Sequence, residues 1–355
     1  WKIAIGFGRR AIFVRMDALF SDTELPQSLS AWFKGRGWRP RDHQLSVLRA
    51  TRDGKSVLLT APTGGGKTLA GFLPSLCDLI ANVGGDDRET RLHTLYLSPL
   101  KALAVDVRRN LEEPIAEMDL PIRVENRTGD TPQARRQRQR KSPPDILLTT
   151  PEQLALLLSY RDAGRYFRHL RYVVIDELHA LAPNKRGDLL ALGLARLAAL
   201  APSARQIGLS ATVAAPDQMA SFLNCAGPVA VIDGGPGPRP DISVMAAANR
   251  VPWSGHMTLH AMSDVYEAIK CQQTTLVFVN TRAQAEVVFN HLWRLNDDGL
   301  SIALHHGSLA VEQRRKVEAA MVRGMLRAVV CTSTLDLGVD WGAVELVIQV
   351  GAPKG

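Results

Sequence analysis

The 355-residue sequence contains no apolar run of the roughly eighteen residues that a membrane-crossing helix requires, which excludes a helical span. Cysteine is scarce. Cys77, Cys225, Cys271 and Cys331 lie far apart, excluding close-pair zinc ligation and giving no disulfide framework; they are expected as reduced thiols in or near the core. Trp1–Met16 lacks the continuous apolar stretch and small-residue cleavage site of a secretory leader, so a cytoplasmic address is expected. No repeat of solenoid length and no low-complexity tract is present. Acidic residues are the minority charge, 35 against 43 Lys and Arg, for a net charge of +8. That balance favours a polyanionic partner.

What is present alternates. Apolar runs rich in Val, Ile and Leu at 56–60, 94–98, 146–149, 172–175 and 206–209 are separated by longer helical patterns, the mark of buried parallel strands in an α/β lobe. The breaker-rich segment 234–240 is expected as a linker, after which runs at 275–279, 301–304, 328–331 and 346–350 predict a second α/β lobe. Residues 1–16 are expected to be a non-native or disordered extension, 17–233 lobe 1 and 241–355 lobe 2. The first residue is Trp1, and the last strand has no closing helix, so the chain is expected to be a fragment.

Two motifs carry chemistry. Ala61-Pro62-Thr63-Gly64-Gly65-Gly66-Lys67-Thr68 joins a strand to a helical run, where backbone N–H groups and the helix N-terminus favour phosphate. Lys67 would reach the β- and γ-phosphates of a nucleotide, and Thr68 would bind Mg²⁺. The strand 172–175 ends in Asp176-Glu177-Leu178-His179, placing two carboxylates at the edge where open parallel sheets bind ligands. Asp176 suits the Mg²⁺ shell and Glu177 suits orienting and deprotonating a water. His305-His306-Gly307 lacks a third regularly spaced ligand and is not read as a metal site. The basic run Arg135–Lys141 suits a nucleic-acid channel and a solvated helix face equally.

With Ser210-Ala211-Thr212, these motifs resemble superfamily 2 helicases of the DExH type, in which Ala61 in place of the first glycine is usual. Trp38–Gln44, Ser98–Leu103, Lys185-Arg186-Gly187 and Thr332–Asp340 resemble the large helicase-related family, and within it the ligase-associated branch. The resemblance implies two RecA-like lobes that close on ATP, with Gln44 reading adenine and Thr63 to Thr68 holding the phosphates. Gly338 and Asp340 would approach the nucleotide from lobe 2. Ser98, Pro99, Lys101, Thr128, Gly129, Thr150, Pro151 and Glu152 would grip a nucleic-acid backbone in lobe 1, with Asn280, Thr281, Arg282 and Thr332 in lobe 2. Ser210, Ala211 and Thr212 would couple the nucleotide site to lobe 2 through His179, and Phe278 and His305 to Gly307 match further lobe 2 motifs.

The implied activity is ATP- and Mg²⁺-dependent 3′-to-5′ movement on single-stranded DNA, or on duplex with a single-stranded tail, in DNA repair. DNA ligase and other repair proteins are implied partners, and in a bacterium the location would be the nucleoid. An RNA or RNA–DNA hybrid substrate is the first alternative; a nucleotide-gated nucleic-acid-binding module is the second. The family's glutamine-and-arginine motif would lie beyond Gly355, so poor turnover by this chain is expected.

Overall fold

The computed structural model describes residues 24–62, 64–82, 91–99, 101–211, 213, 215–223, 227–235, 237, 241–245, 259–332, 335 and 344–352. The chain divides between Pro236 and Gly237 into two compact units, each with its own core. In the first, α1 (Gln27–Gly35) and α2 (Asp42–Arg52) lead into β1 (Ser56–Thr60) and α3 (Lys67–Ala81). Then come β2 (Thr94–Leu97), α4 (Lys101–Glu117), β3 (Val124–Arg127), α5 (Gln133–Lys141), β4 (Ile146–Thr149), α6 (Pro151–Ser159) and α7 (Ala163–Phe167). The unit finishes with β5 (Tyr172–Ile175), α8 (Leu178–Leu181), α9 (Lys185–Leu200), β6 (Arg205–Ser210), α10 (Pro216–Leu223) and β7 (Val229–Asp233).

The strands form one parallel sheet in the order β3-β4-β2-β5-β6-β1-β7. Successive side chains of a strand point to opposite faces, and both faces here are apolar. Val57, Leu59, Tyr96, Ile146, Leu148, Val174, Ile207 and Leu209 pack under α2, α3 and α4. Leu58, Leu95, Leu97, Leu147, Val173 and Ile175 pack under α6 to α10. This is why the runs read as continuous rather than alternating. α1 is fastened to α4 by Arg36, which lies 5.5 Å from the ring centre of Trp32 and 5.4 Å from that of Trp38 and pairs with Glu113 and Glu117.

The second unit holds α11 (Met262–Lys270), β8 (Thr275–Val279), α12 (Arg282–Arg294), β9 (Ile302–His305), α13 (Val311–Val322), β10 (Ala328–Cys331) and β11 (Leu346–Val350). Its strands are parallel in the order β11-β8-β10-β9. Val277, Val279 and Val330 face α11 and α12, while Leu276, Val329 and Cys331 face Met321 of α13.

Three sequence expectations need correction. The strands β3 and β7 were not foreseen, because Val-Glu-Asn-Arg is mostly polar and both strands lie at sheet edges, where two apolar faces are not required. β9 is shifted by one residue, to Ile302–His305. Cys271 is exposed just after α11, unlike the buried Cys77 and Cys331. Cys225 lies outside the described residues.

Phe72 of α3, fully buried, stacks on Tyr96 of β2 with ring centres 5.3 Å apart. Phe72→Ala is expected to lower the unfolding free energy by about 3–5 kcal/mol, read by urea denaturation, through lost burial and the cavity left beside Tyr96.

Candidate nucleotide and strand sites

The sheet order decides where the motifs meet. β6 lies between β5 and β1, so the turns after all three strands share one edge. After β1, Gly64 and Gly66 hold φ of 73° and 76°, left-handed values that cost glycine nothing, and Gly66 caps α3. A Cβ on Gly66 would also stand 2.8 Å from Nε2 of Gln44. That amide nitrogen donates to the Gly66 carbonyl at 3.1 Å, and the amide oxygen accepts the Arg41 N–H at 2.9 Å. Gln44 thus fastens α2 to the glycine turn, a structural contact that sequence reading did not assign it. Lys67 is buried, its Nζ donating to the Ala61 carbonyl across the loop at 2.9 Å.

After β5, Asp176 is buried and holds two bonds: the Tyr96 hydroxyl donates to Oδ2 at 2.6 Å, and the Glu177 N–H donates to Oδ1 at 2.9 Å. Burial raises the Asp176 pKa against these bonds and the charge of Lys67. Burial, then Asp176 itself, likewise raises Glu177. Glu177 sits at φ 47°, ψ 46°; Asp119 is the other non-glycine residue with positive φ among the described residues. The left-handed turn lets two consecutive carboxylates leave the strand end before α8 begins.

After β6, the Ala211 N–H donates to Nδ1 of His179 at 3.3 Å, and Ser210 Oγ lies 3.0 Å from the same nitrogen. Nδ1 is therefore an acceptor and the proton resides on Nε2, which lies 3.4 Å from Oε2 of Glu177. Burial, then the nearby Lys67, depresses the His179 pKa and favours the neutral ring. A continuous polar path thus runs from the β6 turn through the imidazole to Glu177.

The other half of the edge, after β3, β4 and β2, carries the first-lobe residues expected at a nucleic-acid strand. Arg136 donates to the carbonyls of Thr128 at 3.1 Å and Gly129 at 2.6 Å, fixing the β3 turn. Arg186, near the start of α9, forks onto Glu152 at 2.5 and 3.2 Å and donates to the Pro99 carbonyl at 2.7 Å. Burial opposes ionisation of Glu152, yet Arg186 and Thr150 hold its pKa down to about 2. Arg186 therefore braces the β2 and β4 turns, a role that sequence reading did not recognise. Ser98 is fully buried and bonds the Tyr96 phenol, so its hydroxyl is not presented at the surface as the motif suggested.

In the second unit, Asn280 Nδ2 donates to the Ala352 carbonyl at 2.8 Å, Thr281 caps α12 by accepting from the Gln284 N–H, and Arg282 reaches Ser308 Oγ at 2.6 Å. Thr332 follows β10 and is mostly buried. His305 lies 3.1 Å from Glu318, and His306 lies 3.2 Å from Glu286. Thr63, Thr212, Gly338 and Asp340, together with the Lys101 side chain, lie outside the described residues.

A DEAD/DEAH box helicase family model matches residues 41–220, and a helicase conserved C-terminal domain model matches 259–355. The chain belongs to the DEAD/DEAH box helicases. An ATP-dependent helicase Lhr-Core protein 2 of Thermococcus barophilus is 37% identical over 94% of this chain and 42% of its own length. The Lhr helicase/uracil glycosylase of Escherichia coli is 37% identical over 91% of this chain and 25% of its own length. The structure of the Mycobacterium smegmatis helicase Lhr bound to ssDNA and AMP-PNP superposes with a TM-score of 0.79, at 37% identity, over 93% of this chain and 44% of that one. This helicase chain therefore spans less than half of each of these relatives.

The site's residues fit a nucleotide with Mg²⁺. A Cβ on Gly65 would stand 2.7 Å from the Pro62 carbonyl, which shows how closely the backbone folds there. Asp176 is a buried carboxylate whose charge a cation would stabilise, and one carboxylate beside substrate phosphates suffices for Mg²⁺.

Tyr96→Phe leaves Asp176 Oδ2 without its donor. It is expected to cost about 1–3 kcal/mol of stability by thermal or urea unfolding, and to weaken Mg²⁺-dependent nucleotide binding. A Cβ on Gly234 would stand 2.7 Å from that of Ala61. Gly234→Ala is thus expected to destabilise the P-loop, and the double variant Ala61→Gly/Gly234→Ala to recover most of the loss in a double-mutant cycle of nucleotide affinity.

Proposed function

We propose that this helicase chain hydrolyses ATP with Mg²⁺ to move along a nucleic-acid strand. The observation that carries the reading is the convergence of the turns after β1, β5 and β6, which gathers Lys67, Asp176, Glu177 and the His179 path on one edge. Lys67 and the N–H groups of the glycine turn hold the β- and γ-phosphates, and Gln44 turns its remaining amide hydrogen toward adenine. Thr68 and Asp176 would hold Mg²⁺, which when bound offsets negative charge on the phosphates.

Glu177 orients the attacking water and accepts its proton, helped by a pKa above that of a free glutamate. His179, protonated on Nε2, donates toward Glu177 and reports the β6 turn to it, with Ser210, Ala211 and Thr212 as the coupling residues. On the same edge, Gly129, Thr128, Lys101, Thr150, Pro151 and Glu152 follow the strand backbone, with Asn280, Thr281, Arg282 and Thr332 doing so in lobe 2. Backbone contacts of this kind position a strand without reading its bases. Gly338 and Asp340 serve the nucleotide from lobe 2.

DNA is favoured as the substrate, because a relative at 37% identity is described bound to ssDNA. Movement 3′ to 5′, DNA repair and work beside a DNA ligase are the finer proposals, supported by motif resemblance. ATP turnover measured with and without single-stranded DNA or RNA tests the reading. Glu177→Gln is expected to lose the strand-stimulated rate by at least about 10²-fold while keeping Mg-ATP binding. Because Glu177 acts ionised and its pKa is raised, turnover is expected to fall on the acid side at a pH above 4.5, its ordinary value. Strand-stimulated turnover that persists undiminished in Glu177→Gln would refute the assignment.

A further inference from the structure

The sites above occupy the C-terminal edges of the two sheets. The opposite edge of the lobe 1 sheet carries a cavity of about 850 Å³, lined by Arg91, Arg140, Lys141, Arg165, Arg168 and His169, with Asp162 and Tyr166 in its wall. Arg91 precedes β2, Lys141 precedes β4, and Arg165 to His169 precede β5. Since β4, β2 and β5 are neighbours, the topology gathers these cations from three separate chain segments. Four-residue strands place this edge roughly 13 Å from the motif turns.

The charges on α5 are treated differently on its two sides. Away from the cavity, Arg135 and Arg138 pair with Glu125, and Arg136 donates to loop carbonyls. At the cavity, Arg140 alone has a carboxylate among the described residues, Asp162 at 2.7 Å, and its guanidinium also lies 3.9 Å from the Tyr160 ring centre. Among the described residues Asp162 is the one carboxylate in the lining, and it is already engaged by Arg140. The side chains of Arg91, Lys141 and Arg165 have no ion pair or hydrogen bond among the described residues, and Arg168 reaches only its neighbour His169, at 3.3 Å. The buried Tyr166 hydroxyl has no hydrogen-bond partner among the described residues. Cations gathered this way repel one another, and an anion relieves the repulsion.

We propose that this cavity holds the phosphates of a nucleic-acid strand, as a second contact separate from the motif turns. The proposal rests on the reading of the chain as a nucleic-acid motor. Guanidinium forks match phosphate oxygens in pairs, and long cationic side chains follow a backbone without reading bases. The cavity's volume and its spread over three strand ends exceed what a single phosphate group would fill.

The test compares the triple variant Lys141→Gln/Arg165→Gln/Arg168→Gln with a charge-matched control, Arg109→Gln/Arg196→Gln/Arg315→Gln, whose residues are exposed elsewhere. Binding of a long single-stranded oligonucleotide and of a tailed duplex is measured across a salt series, with AMP-PNP affinity and melting temperature as folding checks. The cavity variant is expected to bind at least one of the two at least tenfold more weakly at low salt. For single strands its log K against log salt slope should be shallower by about 2, near 0.7 for each of three lost phosphate contacts. AMP-PNP affinity should be unchanged, and the control should shift less in both respects.

Equal affinity and slope in the two variants would overturn the proposal. So would a cavity variant that loses binding of inorganic tripolyphosphate, titrated at matched ionic strength, yet keeps its oligonucleotide affinity; the cavity would then serve small anions. If wild type itself binds neither nucleic acid, the motor reading fails first, a result distinct from these.

Discussion

Parallel pairing of β6 between β1 and β5 is the constraint on which the nucleotide site depends. Val57 to Thr60 align with Ile207 to Ser210 on one side of β6, and Tyr172 to Ile175 align with Arg205 to Gly208 on the other. Those registers bring the ends of three strands to one edge, although the β1 turn lies more than a hundred residues before the other two. Apolar burial on both faces holds the register, because a slip of one residue would exchange the sets of side chains under α3 and α6.

That edge concentrates unfavourable electrostatics. Asp176 is ionisable, buried and adjacent to Glu177, so both carboxylates are displaced upward in pKa while Lys67 is drawn in beside them. The Tyr96 hydroxyl and the Glu177 N–H keep Asp176 from being an unpaired buried group, and the stack of Tyr96 on Phe72 holds the phenol in place. The left-handed Glu177 is part of the same arrangement. Strain and buried charge that a purely structural strand end would avoid are retained where chemistry is expected.

Much of this was legible in the sequence for physical reasons. Apolar runs such as 172–175 declare buried strands, and the Gly-Lys-Thr junction declares a phosphate turn because few other residues tolerate the backbone there. The Arg186 brace was not legible, since the motif Lys185-Arg186-Gly187 at a helix start says nothing about which distant carbonyl the arginine meets. Arg127 illustrates the same limit: it is fully buried in an edge strand, donating to the Arg136 carbonyl and the Tyr160 hydroxyl. Nor could the basic run Arg135–Lys141 be apportioned, because helical spacing sends Arg135 and Arg138 to Glu125 and Arg140 to Asp162.

The sequence by itself determined the α/β character of both lobes, the strand-to-helix position of the phosphate turn and the presence of paired carboxylates at a strand end, because these follow from local periodicity and backbone tolerance. Only the tertiary structure decided that β6 separates β1 from β5, that His179 carries its proton toward Glu177, and that unpaired cations collect on the far edge. Those facts depend on which strands become neighbours, and neighbours are chosen by packing across the whole sheet rather than by any one segment.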